Sequence, residues 1–245
     1  MKQGHLVAVT AIAAGIVAIA GSQFISQAHA ESNGAPKDSQ RIAALEKDLA
    51  ATKHRLTLVE DYDEIANLNR IYGYYLDKAL YGQLVDLFTD DVSLEYSGRG
   101  VFLGKAHAVE LMKVMPGGQA GLKDGQLQNH IQLQGVVHVA PDGKTAKGRW
   151  RALIMMGDLN KSAQWQEGIY ENEYRKEGGV WKFSKVHFYL NVNAEYANGW
   201  AKDPKGVPGV SKDMPPDLPP SDPAYKPYPT AYIPPFHYKN PVTGK

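Results

Sequence analysis

The sequence predicts an α+β domain, and three observations carry that expectation. First, the stretch EIANLNRIYGYYLDKALYGQLVDLFTDDVSLEY, from Glu64 to Tyr96, reads as a helix, a short second helix and a first strand. Second, strand-like segments follow one another from Leu127 to Val192, separated by tight turns, so an antiparallel sheet is expected with helices gathered before it. Third, twelve of the fifteen prolines lie beyond Asp203, in runs such as MPPDLPPSDP and YIPPFHY. Such a segment favours extended polyproline II over helix or central strand.

Taken in order, residues 1–30 carry Lys2, an apolar run from Leu6 to Ala20, and Ala28-His29-Ala30 before Glu31. These are the parts of a secretory signal with a small-x-small cleavage site. An uncleaved anchor is the alternative, although the run falls short of the ~20 residues a spanning helix needs. The mature protein is therefore expected to be exported, and periplasmic in a Gram-negative source, with no membrane attachment after cleavage. Residues 31–60 form a polar linker and a heptad helix, in which Ile42, Leu45, Leu49, Leu56 and Val59 keep a 3–4 step and Thr52 fills the gap. That seam packs either on its own domain or against a second subunit, and a homo-oligomer is expected.

The domain proper is expected over residues 61–202. Asp63 is a candidate N-cap for a helix whose Ile65, Leu68, Ile71, Tyr72 and Tyr75 recur at helical spacing. Thr89-Asp90-Asp91 reads as a turn into a strand at Val92–Tyr96, where Val92, Leu94 and Tyr96 alternate. A hairpin at Gly98–Gly104 leads to a helix at Lys105–Met115. The glycine-rich loop Pro116–Gly125 then stands where it could cover a pocket. Strands follow at Leu127–Val139, Thr145–Met156, Gln164–Lys176 and Val180–Val192, with turns at Pro141–Lys144 and Glu177–Gly179. Residues 203–245 form the proline-rich arm, whose tyrosines and Phe236 predict packing along the domain or a neighbouring subunit.

Composition excludes several functions. Residues 1–30 hold Lys2 and no acid, so the rest of the chain has 26 basic and 26 acidic side chains. That balance argues against nucleic-acid binding, which needs a clustered basic excess. No cysteine is present, hence no thiolate nucleophile and no cysteine-based zinc site. The remaining histidines show no metal-ligand spacing with carboxylates, and no nucleotide motif occurs, so neither metal nor cofactor is expected.

The late-helix Asp77, LFTDDVSLEY, Gly104 before a helix, Asn129-His130, the strand Gly148–Met156 and GIYENEYRKEGGVWKFSKVHFY from Gly168 together resemble a SnoaL-like domain of the nuclear transport factor 2-like superfamily. The resemblance covers roughly Asp61 to Gly199. It implies a curved sheet wrapped around the N-terminal helices to form a conical pocket. Among functional relatives it points to cofactor-free lyases of the scytalone dehydratase and dehydrochlorinase type, with GVWKFSK at Gly179–Lys185 similar to the latter.

In those lyases a late-helix aspartate orients a strand histidine that removes a carbon-bound proton, positions that Asp77 and His130 match. Tyr96 stands at the spacing of a substrate-polarising tyrosine. Read by themselves, Asp77 is an aspartate on a wet helix face and His130 a structural strand histidine. Val186 occupies the place of the dehydrochlorinase arginine, so a chlorinated substrate is not expected, and Val186 becomes a wall residue. Arg149 and Arg151 share a strand face. Arg151 could serve a phenolate, carboxylate or leaving hydroxyl, and surface bridges to Glu171 or Glu173 are the alternative. Tyr72, Leu94, Leu153, Met155, Tyr170 and Phe188 are further wall candidates for a small hydrophobic, aromatic molecule. The expected activity is elimination of water or another small leaving group such as formaldehyde. An isomerase or cyclase in the same pocket, or an exported binding module, remains the alternative.

Overall fold

A single helix, α1, runs from Ala35 to Asp77, in a computed structural model that describes residues 35–118 and 121–245. The signal expected at residues 1–30 lies outside the described residues. Two compact units are distinguished, one before Thr52 and one from Thr52 to Lys245. In the first, Ile42, Leu45 and Leu49 are each more than half exposed. Everything below belongs to the second.

The break expected at Asp63 does not occur. Asp63 is an exposed mid-helix residue that accepts a hydrogen bond from Asn67. The polar stretch around it is kept helical by Asp61 instead. That buried carboxylate accepts from Lys176 Nζ at 2.5 Å and from the Trp181 indole N–H at 2.9 Å. Further along, Asn69 is fully buried and joins the helix to three strand residues. It donates to Gln132 and accepts from Asn172 and the Tyr174 hydroxyl. Gly73 follows because the helix comes so close to a strand here that a Cβ would meet Gln132 Cγ at 2.8 Å and the His130 carbonyl oxygen at 3.0 Å.

After α1 come α2 (Tyr81–Asp86), β1 (Phe88–Tyr96), β2 (Val101–Leu103), α3 (Gly104–Lys113), β3 (Gln126–Val139), β4 (Thr145–Asp158), β5 (Ser162–Glu177), β6 (Val180–Glu195) and the short α4 (Gly199–Lys202). The strands form one six-stranded sheet in the order β2-β1-β6-β5-β4-β3. Helices followed by this curved, unclosed sheet make the cone expected of the α+β class. Thr89–Asp91 belong to β1 rather than to a turn, and the pairing with β6 shifts register between Phe88 and Ser93. β1 runs parallel to β6, not antiparallel as expected for the whole sheet. A hairpin fixes the direction of β1 against β2, but no short connection links β1 to β6, so nothing dictates an antiparallel pair there.

One face of the sheet buries Phe88, Leu94, Trp150, Tyr174, Phe183 and Val186 against the helices, where Tyr72 of α1 meets them. The other face carries the proline-rich arm. Leu218 pairs with Val101 on the edge strand β2, and Ser221 donates its backbone N–H to Glu95 of β1. The Tyr225 hydroxyl and the Tyr228 N–H then bond the Leu190 and Asn191 carbonyls of β6 at 2.6 and 2.7 Å. Further on, His237 meets Glu171 of β5, Phe236 lies under the Arg149 guanidinium of β4, and His237 Nε2 is 3.0 Å from His138 Nδ1 of β3. The arm thus crosses the strands nearly in the order in which they lie in the sheet.

Candidate functional site

The cavity with the densest chemistry lies between the helices and the sheet and has a volume of about 150 Å³. Strand alternation delivers its walls: Gln128 and His130 from β3, Ile154 and Met156 from β4, Tyr170 from β5, and Phe188 and Leu190 from β6. Tyr96 closes the β1 side, while Met115 and Pro116 of the loop after α3 and Pro208 of the arm form part of the rim.

His130 is 7% exposed and its ring lies among aromatics, with the Tyr170 and Phe188 ring centroids at 5.8 and 6.2 Å. Its Nε2 is 3.0 Å from the Tyr170 hydroxyl. Burial pushes the imidazole pKa down to about 3, so the ring is neutral at physiological pH. A second phenol pair adjoins it, with the Tyr72 and Tyr96 hydroxyls 2.7 Å apart and the Tyr72 ring edge-on to Tyr170. Burial raises all three phenols well above their usual range, so they remain protonated. The arrangement therefore presents a neutral imidazole and phenolic hydroxyls in a largely apolar, water-poor space. It can accept a proton at nitrogen and donate one from oxygen.

Asp77 is brought to His130, but not to its ring. The last residue of α1 is half-buried, and its carboxylate accepts a hydrogen bond from the His130 backbone N–H. It opens onto a separate outward cleft with Arg70, Tyr74 and Asn129. Burial raises the Asp77 pKa, opposed by the bond from the His130 amide and by the Lys78 charge. The carboxylate thus fixes the strand that carries the imidazole, while the hydrogen-bond partner of the ring is Tyr170.

The other expected residues divide by face. Tyr96, Tyr170 and Phe188 line the cavity. Tyr72, Leu94 and Val186 are fully buried in the core around it. Arg149, Arg151, Leu153 and Met155 do not line it. On β4 the inward residues are Trp150, Ala152 and Ile154, so the odd-numbered ones point to the opposite face. There Arg149 pairs with Glu171 beneath the arm, and Arg151 pairs with Glu167 and donates to Gln134 Oε1 at 2.7 Å. The run Ala152–Met156 is apolar at every position, which hides the alternation that would have placed Ile154 and Met156 inside. Gln128 was also missed, although it stands two residues before His130 and hence on its face. Arg99 had no sequence signal, because a turn residue has no periodicity to read. Among the described residues, no cluster of histidines and carboxylates has the geometry to hold a metal ion.

Comparison with known proteins bears on the fold and the family. Residues 57–187, more than half of the chain, match the family described as the SnoaL-like domain. A candidate scytalone dehydratase from Novosphingobium aromaticivorans DSM 12444 is similar in structure, with a TM-score of 0.50 and 18% identity, over 57% of this chain and 90% of that one. Hexachlorocyclohexane dehydrochlorinase LinA-type3 from Novosphingobium barchaimii LL02 is similar at a TM-score of 0.50 and 20% identity, over 58% and 94% of the two chains. At such identities the likeness speaks to the fold. No curated protein matches the chain.

Proposed function

The chain belongs to the SnoaL-like domain family, and we propose that it is a cofactor-independent lyase acting on a small aromatic molecule. The observation that carries this reading is the neutral, buried His130 imidazole beside the Tyr170 hydroxyl, facing open space. A cavity of about 150 Å³ is the size that accommodates one aromatic ring, and its polar wall groups leave room for substituents that pair with them. In the proposed reaction the imidazole removes a proton from the carbon next to the one bearing the leaving group. The electron pair of that C–H bond becomes the new double bond, and the leaving hydroxyl departs with a proton from a phenol of the Tyr72–Tyr96 pair. General-base and general-acid terms are each worth about 10²–10⁴-fold when the pKa lies near the working pH, and the depressed imidazole and raised phenols place both toward the lower end. Asp77 acts here as a positioning residue, through the backbone amide of His130. Dehydratase and dehydrochlorinase neighbours with the same fold support the reaction class.

The test is incubation of the chelator-treated protein with a panel of single-ring aromatic alcohols, read by mass spectrometry. Loss of water or of another small fragment is expected, and should vanish in His130→Ala. Product formed without change of mass would establish an isomerase instead. Binding without turnover would establish a binding module, a reading favoured by the phenol, in place of a carboxylate, that partners the imidazole among the described residues. The same proposal places the protein outside the cytoplasm and in a homo-oligomer joined through the exposed apolar positions of α1. Light scattering on the protein lacking residues 1–30 checks the second point, and a monomer would end it.

A further inference from the structure

Among the described residues, the cavity wall carries one guanidinium, that of Arg99, and no carboxylate. Arg99 lies at the end of the turn joining β1 to β2, closed by a hydrogen bond from its own N–H to the Tyr96 carbonyl at 3.1 Å. Ser97 and Gly98 at the centre of that turn have φ of 53° and 72°, the left-handed pair that matches the twist of a hairpin. The arm packs against the same turn. A Cβ on Gly100 would meet Pro216 at 2.5 Å, and Val207 and Tyr225 lie beside Gly98. Held in this way, the half-buried Arg99 side chain forms part of the wall that also holds Tyr96, His130 and Tyr170.

Its electrostatic situation differs from that of the sheet arginines. Arg149, Arg151 and Arg175 each pair with carboxylates, whereas Arg99 has no ion pair among the described residues. Burial lowers its pKa with no neighbouring acid to offset the loss of water. A second wall group is also unsatisfied: Gln128 donates from Nε2 to the Leu76 carbonyl, but among the described residues its buried Oε1 has no hydrogen-bond partner, since the neighbouring Tyr81 hydroxyl donates to the Pro116 carbonyl. Desolvated cations and acceptors left without partners are costly, and a bound molecule that supplies the partners relieves both.

We propose that the cavity selects a small aromatic ligand bearing a carboxylate, bound by the Arg99 guanidinium, and a hydroxyl that donates to Gln128 Oε1. The inference deepens the lyase reading by naming its substrate class, and it rests on this cavity being the ligand site. A guanidinium and a carboxylate form paired, charge-assisted hydrogen bonds, so discrimination against an uncharged isostere of tenfold or more is expected.

Calorimetric titration of the full-length protein at pH 7 with 4-hydroxybenzoate and with 4-hydroxybenzamide tests this without any need for turnover. The acid should bind at least tenfold more tightly than the amide. Arg99→Gln should bring the two within about twofold, and Arg99→Lys should keep part of the preference, with circular dichroism confirming the fold of both. Gln128→Leu should weaken 4-hydroxybenzoate more than benzoate. Equal binding of acid and amide by the wild-type protein, an undiminished preference in Arg99→Gln, or no binding of either probe at millimolar concentration would overturn the proposal. An intact acid preference in a protein that turns over no aromatic acid would leave it standing and sink the lyase reading alone. Turnover of neutral aromatics with no acid preference would do the reverse.

Discussion

The two faces of one sheet bury two histidines in opposite ways. On the inner face His130 sits among phenols and aromatic rings, and among the described residues no carboxylate bonds its ring. On the outer face His187 has Nε2 3.6 Å from Glu95, stacks on Tyr189 at a centroid distance of 3.9 Å, and is covered by the arm. Glu95 also takes two hydrogen bonds from Ser221, so its remaining capacity is used within the fold. Judged by charge partners alone, the outer histidine would look catalytic and the inner one inert. The cavity reverses that judgement. His187 holds its carboxylate beneath the arm and His237 holds one beside an outer-face cleft shared with His138 and Arg175, whereas His130 faces the cavity walled by the phenols. An acid–base residue needs access first and a tuned pKa second.

The largest effect that could break this contrast is on turnover. His130→Ala should lower kcat by about 10²–10⁴-fold with the fold intact, while His187→Ala should leave kcat within a few-fold and lower the melting temperature. Comparable kinetic losses in both variants would show that the outer face takes part in the chemistry. Next comes Arg149→Ala, which strands the mostly buried Glu171 carboxylate and removes the cation over Phe236. Breaking a buried pair costs about 3–5 kcal/mol, readable in urea denaturation, and His237 as a remaining partner of Glu171 sets the loss near the lower end.

Acid titration sharpens the comparison further. Burial holds His130 at about 3 and His187 at about 4, the latter opposed by Glu95, against an ordinary value near 6.5. Both pKa values are depressed in the fold, so between these values the unfolded chain binds more protons. Stability is then full above about pH 6.5 and falls as the pH drops toward 3, by up to about 1.4 kcal/mol per pH unit for each histidine. His130→Gln should flatten this acid limb over a wider range than His187→Gln. Equal flattening would mean that the outer histidine is as thoroughly desolvated as the inner one. The smallest effect expected is that of Asp77→Asn. The amide oxygen still accepts from the His130 N–H, so kcat should fall less than about tenfold, since a neutral acceptor gives roughly half the strength of a charged one. A loss equal to that of His130→Ala would mean that the carboxylate acts on the ring during turnover.

Strands β3 to β6 were legible by composition and by the turns at Pro141–Lys144 and Glu177–Gly179, whereas Thr89–Asp91 lies inside β1 and the parallel pairing of β1 with β6 left no local mark. The helix boundary at Asp63 was misread, since a capping residue looks the same when a long helix runs through it. Tyr96, His130, Tyr170 and Phe188 could be placed from the resemblance together with strand position. Leu153 and Met155 could not, because the run Ala152–Met156 is apolar at every position and lacks the polar alternation that tells inside from outside. The direction of the Asp77 carboxylate depends on the close approach of α1 to β3 at Gly73, a distance that no local pattern encodes. Arg99 is set by a turn and an arm far away in sequence.

That arm has a consequence for the order of assembly. Made or exported, the chain is delivered from its N-terminus, so its last segment arrives after the helices and strands. Pro208, Pro216 and Tyr225 are therefore among the last residues to become available. Until they dock, the turn bearing Arg99 lacks its brace, the rim lacks Pro208, and the outer face with Glu95 and His187 stands open to water. The helices and sheet can be complete while the mouth of the cavity is still unfinished. Competence for ligand is acquired only once the arm has docked, and a chain cut short by a few dozen residues should fold into a body without a finished entrance.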